Sequence, residues 1–336
     1  AARVAPGFAV NRLGQVLRLA SPVDLALATA AAPGPTARLC LFDDCAPPAS
    51  GDFIGAGGLW LLTIAPAFSE EGRAAVSGMG DVPGRCAIDA VAEGVQFRLL
   101  EIRQQVHGLS LTDPLLRNKL AYACFGVGVR PAWPVPLPAN LPRRDDLIEA
   151  LRKDGLTDAE VPLAIIAVGS TGNHLFTCNH SVRRALGPRR EGVALDDIVR
   201  PRRAVLGEAM WSQFHDQLAS SDALAVSARD RFAFLPAAGV LPTLSDAAAI
   251  AWFKGMTVRG PLHIDQAKVE PLLRASLTAP AIDTASDHAL FLYRIAQDRM
   301  AGRNDCVIFA SGHLPVAAEA RFNLAHWDFA NFALIP

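Results

Sequence analysis

Val161-Pro-Leu-Ala-Ile-Ile-Ala-Val168, Gly169-Ser-Thr-Gly-Asn173 and His174-Leu-Phe-Thr-Cys178 form the stretch that settles the fold class. An uncharged apolar run, a polar tip with two glycines and a second short run read as a β-hairpin. The same beading recurs in both directions. Upstream, Leu59-Trp-Leu-Leu-Thr-Ile64 is a continuous apolar run, the pattern of a strand buried on both faces. Val95-Gln-Phe-Arg-Leu-Leu-Glu-Ile102 alternates in part and reads as its return. Residues Pro66 to Pro83, with Gly72, Gly78 and Gly80, read as a long excursion between them. Further upstream, Phe8 to Leu19 reads as two short strands, with Asn11 and Gly14 supplying the turn chemistry and Ser21-Pro22 the stop. Arg38 to Phe42 is another short strand, ended by the loop Asp43 to Pro48. The first hundred residues therefore read as all-β.

Helices punctuate the rest. Thr112 or Asp113 caps a helix with Pro114 in its first turn, Leu116, Leu120 and Cys124 at helical spacing, and Gly126 at its end. Pro131-Ala-Trp-Pro-Val-Pro-Leu-Pro138 holds four prolines in eight residues and favours an extended strap. A helix spans about 143–153. Downstream of the hairpin, residues 183–203 are basic and Pro-rich. Gly207 to Leu218 reads as an amphipathic helix with Met210, Trp211, Phe214 and Leu218 on one face. A capped helix runs from Ser245 to Phe253. Pro271 splits one that Asp265 would start, which leaves Pro271 to Leu277 as its firmer part. His288 to Ile295 and Asp305 to Phe309 are apolar strands around a polar turn at 302–304. The expected fold class is α+β, β-rich, with several small modules joined by Pro-rich connectors. These are a β-rich module over 1–110, a helix and Pro-rich strap over 111–142, a mixed α/β module with a basic linker over 143–204, and a C-terminal α+β module over 205–336.

Composition narrows the function classes. Lys+Arg 32 against Asp+Glu 33 nearly cancel, so no general basic field exists to hold nucleic acid. Mean hydropathy is high at +0.23, yet the apolar run Leu25 to Pro33 falls far short of the ~20 residues a span needs. Either the cores are Ala/Leu-rich or apolar surface is buried against partners. Six Cys spread over 336 residues read as mostly reduced, buried small hydrophobes. The start Ala-Ala-Arg shows no signal peptide.

No catalytic motif assembles. The glycines at 51, 55, 57 and 58 lack a following Lys-Ser/Thr and lead into a strand, which suits a flexible entry better than a phosphate cradle. Gly169 to Gly172 lacks the P-loop lysine as well. His174, Cys178 and His180 are the metal candidate, since 174 and 178 share a strand face and 180 joins if the strand continues. A structural zinc site wants a fourth ligand, and no second Cys pair at finger-like spacing supplies one. Cys40 and Cys45 fit neither a redox pair nor a zinc knuckle. Ser311-Gly-His313 and Ser77-Gly78 lie in no nucleophile elbow. The adjacent Asp pairs at 43/44, 145/146 and 196/197 do not converge on one substrate. The arginines between 183 and 203 lack interleaved aromatics and suit a solvated linker or a patch for an acidic neighbour. No catalytic residue and no cofactor is called for.

Several segments together resemble a family. Pro6-Gly-Phe-Ala-Val-Asn-Arg-Leu-Gly-Gln-Val-Leu17 resembles a hairpin of baseplate- and fibre-associated proteins from phage-tail-like contractile injection particles, with Asn11 where that hairpin often has Asp. Val161 to Ile166 with Asn179-His-Ser-Val-Arg-Arg184 resembles a strand pair of the same uncharacterised structural proteins, with His180 interrupting its turn. Arg117 to Gly126, Arg231 to Pro242, Pro280 to Asp283 and Leu292 to Arg294 resemble further blocks. The resemblance implies a structural subunit that packs against other subunits of a large assembly, in the bacterial cytoplasm before release or within a virion-like particle. It carries over no active residue. On this reading Pro131, Trp133, Pro134, Pro136 and Pro138 drape over a neighbour, and Trp211 and Phe214 complete contacts. The rival readings are a β-rich hydrolase or carbohydrate-binding protein, and a nucleic-acid module built on the arginine segment.

Overall fold

A computed structural model describes residues 2–25, 57–76, 85–102, 109–127, 147–186, 195–219, 224–242, 244–286, 289–295, 306–312, 314, 327–328 and 333–334. Among the described residues the chain is mixed α+β and β-rich, with 40% strand against 27% helix over several small sheets. It divides into two compact units, Ala1–Arg103 with Leu151–Thr177, and Gln104–Ala150 with Cys178–Pro336. Each unit is discontinuous in sequence, because strands far apart in the chain pair with one another; the stretch 143–204 contributes to both.

The first unit is two β layers. In one, β1 (Ala2–Val4) pairs antiparallel with β4 (Val23–Leu25) around a nested hairpin of β2 (Gly7–Val10) and β3 (Val16–Leu19). The other is a sheet of order β6-β5-β7-β8, with β5 Gly58–Val76, β6 Arg85–Ile102, β7 Val161–Val168 and β8 His174–Cys178. The Val161 hairpin forms as its composition dictates, with Gly169 N donating to Asn173 O and Gly172 N to Gly169 O. Leu59, Leu61, Leu62 and Ile64 are all buried, so both faces of β5 are covered there. Val4, Leu19 and Leu25 pack on Leu62, Leu99, Ile166 and Val168, which closes the core between the layers. Over Pro66 to Val76 the expected excursion does not form, and its remainder, 77–83, lies outside the described residues. β5 continues through Pro66 to Val76, paired with β6 from Pro66↔Val95 to Val76↔Arg85. β7 stops pairing at Ile64, so Pro66 sits on an edge strand, where a missing N–H is tolerated.

The second unit is built on a sheet of order β10-β14-β13-β11. The helices are α1 (Leu116–Phe125), α2 (Leu147–Lys153, shared with the first unit), α3 (Leu195–Leu218), α4 (Ala228–Arg231), α5 (Asp246–Trp252) and α6 (Gln266–Ser276). The described strands are β9 (Phe234–Leu235), β10 (Ala238–Pro242), β11 (Thr257–Ile264), β12 (Ile282–Asp283), β13 (Ala289–Ile295), β14 (Cys306–Ser311) and a short antiparallel pair, β15 (Trp327–Asp328) with β16 (Ala333–Leu334). Alternation divides the apolar strands between two cores. Leu290, Leu292, Val307 and Phe309 meet Phe214, Leu218, Trp252 and Phe253 on one face. Phe291, Tyr293, Ile308 and Ala310 meet Leu272 of α6 on the other. The apolar strands β13 and β14 are thus the centre of an α/β/α sandwich. β11 runs parallel to β13, with α6 lying between them in sequence.

Three helix starts depart from the sequence reading. α1 begins at Leu116 with Leu115 at its N-cap and no side-chain cap, so Thr112, Asp113 and Pro114 precede the helix, although Asp113 Oδ1 accepts from Leu115 N at 2.8 Å. α3 begins at Leu195, so part of the expected basic linker is helix. α6 begins at Gln266 and passes through Pro271, because its inward residues Leu272 and Ser276 are buried. The strand 38–42, the strap 131–138 and the turn 302–304 lie outside the described residues.

Candidate functional site

The β2–β3 hairpin has two apolar faces. Leu17 points into the core and Leu19 packs at its margin, so alternation turns Phe8, Val10, Val16 and Arg18 outward. Phe8 is 72% exposed and Val16 65%, and Leu13 at the turn is 61% exposed. Val10 lies opposite Val16 and Phe8 opposite Arg18, whose guanidinium carbon stands 5.9 Å from the Phe8 ring centroid. A hairpin with one face to water normally alternates apolar with polar; this one does not.

The turn that presents this face is tied down. Gly14 takes φ 81°, which favours glycine. Asn11 is buried; its Oδ1 accepts from Gln15 N at 2.9 Å, while its Nδ2 donates to Gln15 Oε1 at 2.8 Å and to Ala159 O at 3.1 Å. Arg12 N donates to Asp158 O at 3.2 Å. The 155–160 loop that receives these bonds is itself held by Glu160, only 5% exposed. Its carboxylate accepts from Arg98 Nε at 2.7 Å and Nη2 at 2.5 Å, from Thr63 Oγ1 at 2.9 Å, and from Thr157 N and Oγ1 at 2.8 and 2.9 Å. Burial pushes this carboxyl up, but the Arg98, Thr157 and Thr63 bonds together outweigh it and hold it below the usual range. Further along the same unit, Phe68 and Val91 are exposed where β5 and β6 continue past β7 as a two-stranded ribbon.

The second unit holds a groove of about 560 Å³ between α3 and α6. Trp211, Val269, Leu273 and Leu277 supply its apolar lining, and Glu208, Glu270 and Arg274 its charged residues. The two helices approach closely at one point, where a Cβ on Gly207 would overlap the Leu277 carbonyl. Glu270 is spent on Arg274 at 2.6 Å. Trp211 lies 4.0 Å from the His215 ring, centroid to centroid. The His215 Nε2 is buried without a hydrogen-bond partner among the described residues, and burial pulls the imidazole down from 6.5 to about 4.

The residues singled out from sequence fare unequally. Trp211 lines the groove, but Phe214 is 1% exposed inside the core and cannot meet a partner; α3 is buried around much of its girth, with Ala209, Met210, Gln213, Gln217 and Leu218 also buried. Pro131, Trp133, Pro134, Pro136 and Pro138 lie outside the described residues. His174 is exposed, with Nε2 2.9 Å from Thr177 Oγ1, and His180 is half-buried. Cys178 is fully buried, its thiol pushed up to about 11 by burial and its Sγ 3.6 Å from the donating Gln213 Nε2. Among the described residues no group of three His, Cys, Asp or Glu could hold a metal ion. Ser311 is buried, and His313 and Ser77 lie outside the described residues. Gly57 proves to be a close-packing position against the Gly169 backbone. Sequence reasoning missed Phe8, Val10, Val16 and Arg18 as a surface, although apolar residues on both parities of one hairpin are a visible signal. Glu208, Val269 and Leu273 carried no such signal.

No helix among the described residues is long and apolar enough to cross a membrane. No protein-family model, no curated protein and no solved structure matches the chain.

Proposed function

We propose that this chain is a structural subunit of a phage-tail-like contractile particle, whose work is to pack against other subunits rather than to turn over a substrate. One observation carries the reading: the outward face of the β2–β3 hairpin, Phe8, Val10, Leu13 and Val16, is apolar and exposed while the inward face already serves the core. Contiguous exposed apolar surface of this kind marks an interaction site. The same residues 6–17 carry the resemblance to baseplate- and fibre-associated proteins. The β5–β6 ribbon adds support, because two strands without a third are marginal alone and gain from a neighbour. The expected place of action is the bacterial cytoplasm before release, or the particle itself.

The test is co-purification with the products of neighbouring genes, read by size exclusion with light scattering. Phe8→Asp with Val16→Asp should abolish co-elution while shifting stability by no more than about 1–2 kcal/mol, since both positions face water and only the Phe8–Arg18 contact is lost within the chain. A chain that stays apart from every neighbour, or that turns over a substrate in a manner abolished by one point change, would overturn the reading.

A further inference from the structure

We propose that the hairpin face of one copy docks in the α3–α6 groove of a second copy, so that the chain associates with itself. The inference rests on the assembly reading above and names the partner as the chain itself.

The two surfaces are chemically complementary. The hairpin presents Phe8, Val10 and Val16 beside Arg18. The groove presents Trp211, Val269, Leu273 and Leu277 beside Glu208. Arg18 and Glu208 are the charges left over on each side: neither has an oppositely charged partner among the described residues, whereas Arg12 meets Asp158 at 3.9 Å and Arg274 meets Glu270. An apolar surface with one unspent cation therefore faces an apolar surface with one unspent carboxylate. A groove of about 560 Å³ also falls in the range of roughly 300–1,000 Å³ typical of binding pockets.

The contact joins two different surfaces, so two copies can exchange hairpins reciprocally as a two-fold dimer, or each can dock on the next in a ring or open filament, where an open pair keeps one free hairpin and one free groove. A few side chains in a groove bury less than the roughly 800 Å² per partner of a standard stable interface. Association is therefore weak and concentration-dependent, and becomes firm only when many contacts act together.

The experiment is sedimentation of the full chain over a range of concentrations, with thermal melts confirming that each variant folds. The wild type should rise above monomer mass as concentration increases. Arg18→Glu alone and Glu208→Arg alone should each weaken association roughly tenfold or more, because like charges then meet. An equimolar mixture of the two variants should recover association, since each offers the other a complementary pair, and so should the double variant. Single variants that associate like the wild type, or a mixture that stays monomeric, would overturn the docking. A wild type that stays monomeric at every concentration would overturn it too. If that monomer still co-elutes with a neighbouring gene product and Phe8→Asp with Val16→Asp breaks the complex, the assembly function stands and only self-docking falls; if it binds no neighbour, both fall.

Discussion

Asn11 shows how one atom sets a residue's identity. Its amide nitrogen donates to two acceptors, Gln15 Oε1 and Ala159 O, and a carboxylate cannot donate. Asn11→Asp should therefore cost about 1–3 kcal/mol at neutral pH. The new carboxyl would face two oxygens, so its folded-state pKa rises above the unfolded one. Its contribution is present at low pH and is lost as pH rises through the folded value, so the deficit should shrink in urea melts near pH ~3.5 compared with pH ~7. Glu160 has the opposite sign. Its folded value lies below 4.5, so its stabilisation is present above 4.5 and is lost as pH falls through the folded value. Glu160→Gln should cost about 1–3 kcal/mol at neutral pH, towards the lower end because Arg98 is partly exposed to screening solvent. The difference from wild type should close in acid. His215 acts in a higher window: with its pKa depressed from 6.5 to about 4, stability is full above 6.5 and drains as pH falls towards 4. His215→Phe should flatten that decline, by about 1 kcal/mol after allowing for partial solvent screening.

Elements stand or fall on whether their cause is local. The hairpins at 8–19 and 161–178 and the α5 start at Ser245, whose side chain accepts from Ala248 N at 3.2 Å, follow from neighbouring residues and were legible in the sequence. The run of β5 past Pro66, the parallel pairing of β11 with β13, and the passage of α6 through Pro271 were not. In each, a distant partner overrides a local breaker: β6 holds Pro66, β13 holds the Gly260-Pro261 irregularity of β11, and burial of Leu272 holds α6 straight through its proline. In α6 that override has a measurable cost. Pro271 is exposed and removes one helical hydrogen bond, so Pro271→Ala should raise stability by about 1–2 kcal/mol by calorimetry. Gly207→Ala should do the reverse. Its methyl would meet the Leu277 backbone rather than a movable side chain, and overpacking of this kind costs about 1–3 kcal/mol. The candidate site divides along the same line. The outward apolar face of the hairpin is written in consecutive residues, whereas the groove exists only because Glu208 and Trp211 on α3 are brought beside Val269 and Leu273 on α6.

At the scale of the molecule, the decisive fact is that each unit closes its own core from two separated stretches of chain. The hairpin layer of the first unit is held by the Asn11 and Glu160 networks, all of whose partners lie within that unit. The sandwich of the second is held by aromatic packing around Phe214, Phe253 and Phe309, again within one unit. Interactions confined in this way make the units separable in energy. Thermal unfolding should accordingly resolve two transitions. Glu160→Gln should lower one and leave the other in place, and Gly207→Ala should do the converse, with the combined variant showing both shifts unchanged, as independent sites do. A single transition that both substitutions move would mean that the chain melts as one cooperative body, and that energy passes between cores which share no residue in the packing described above.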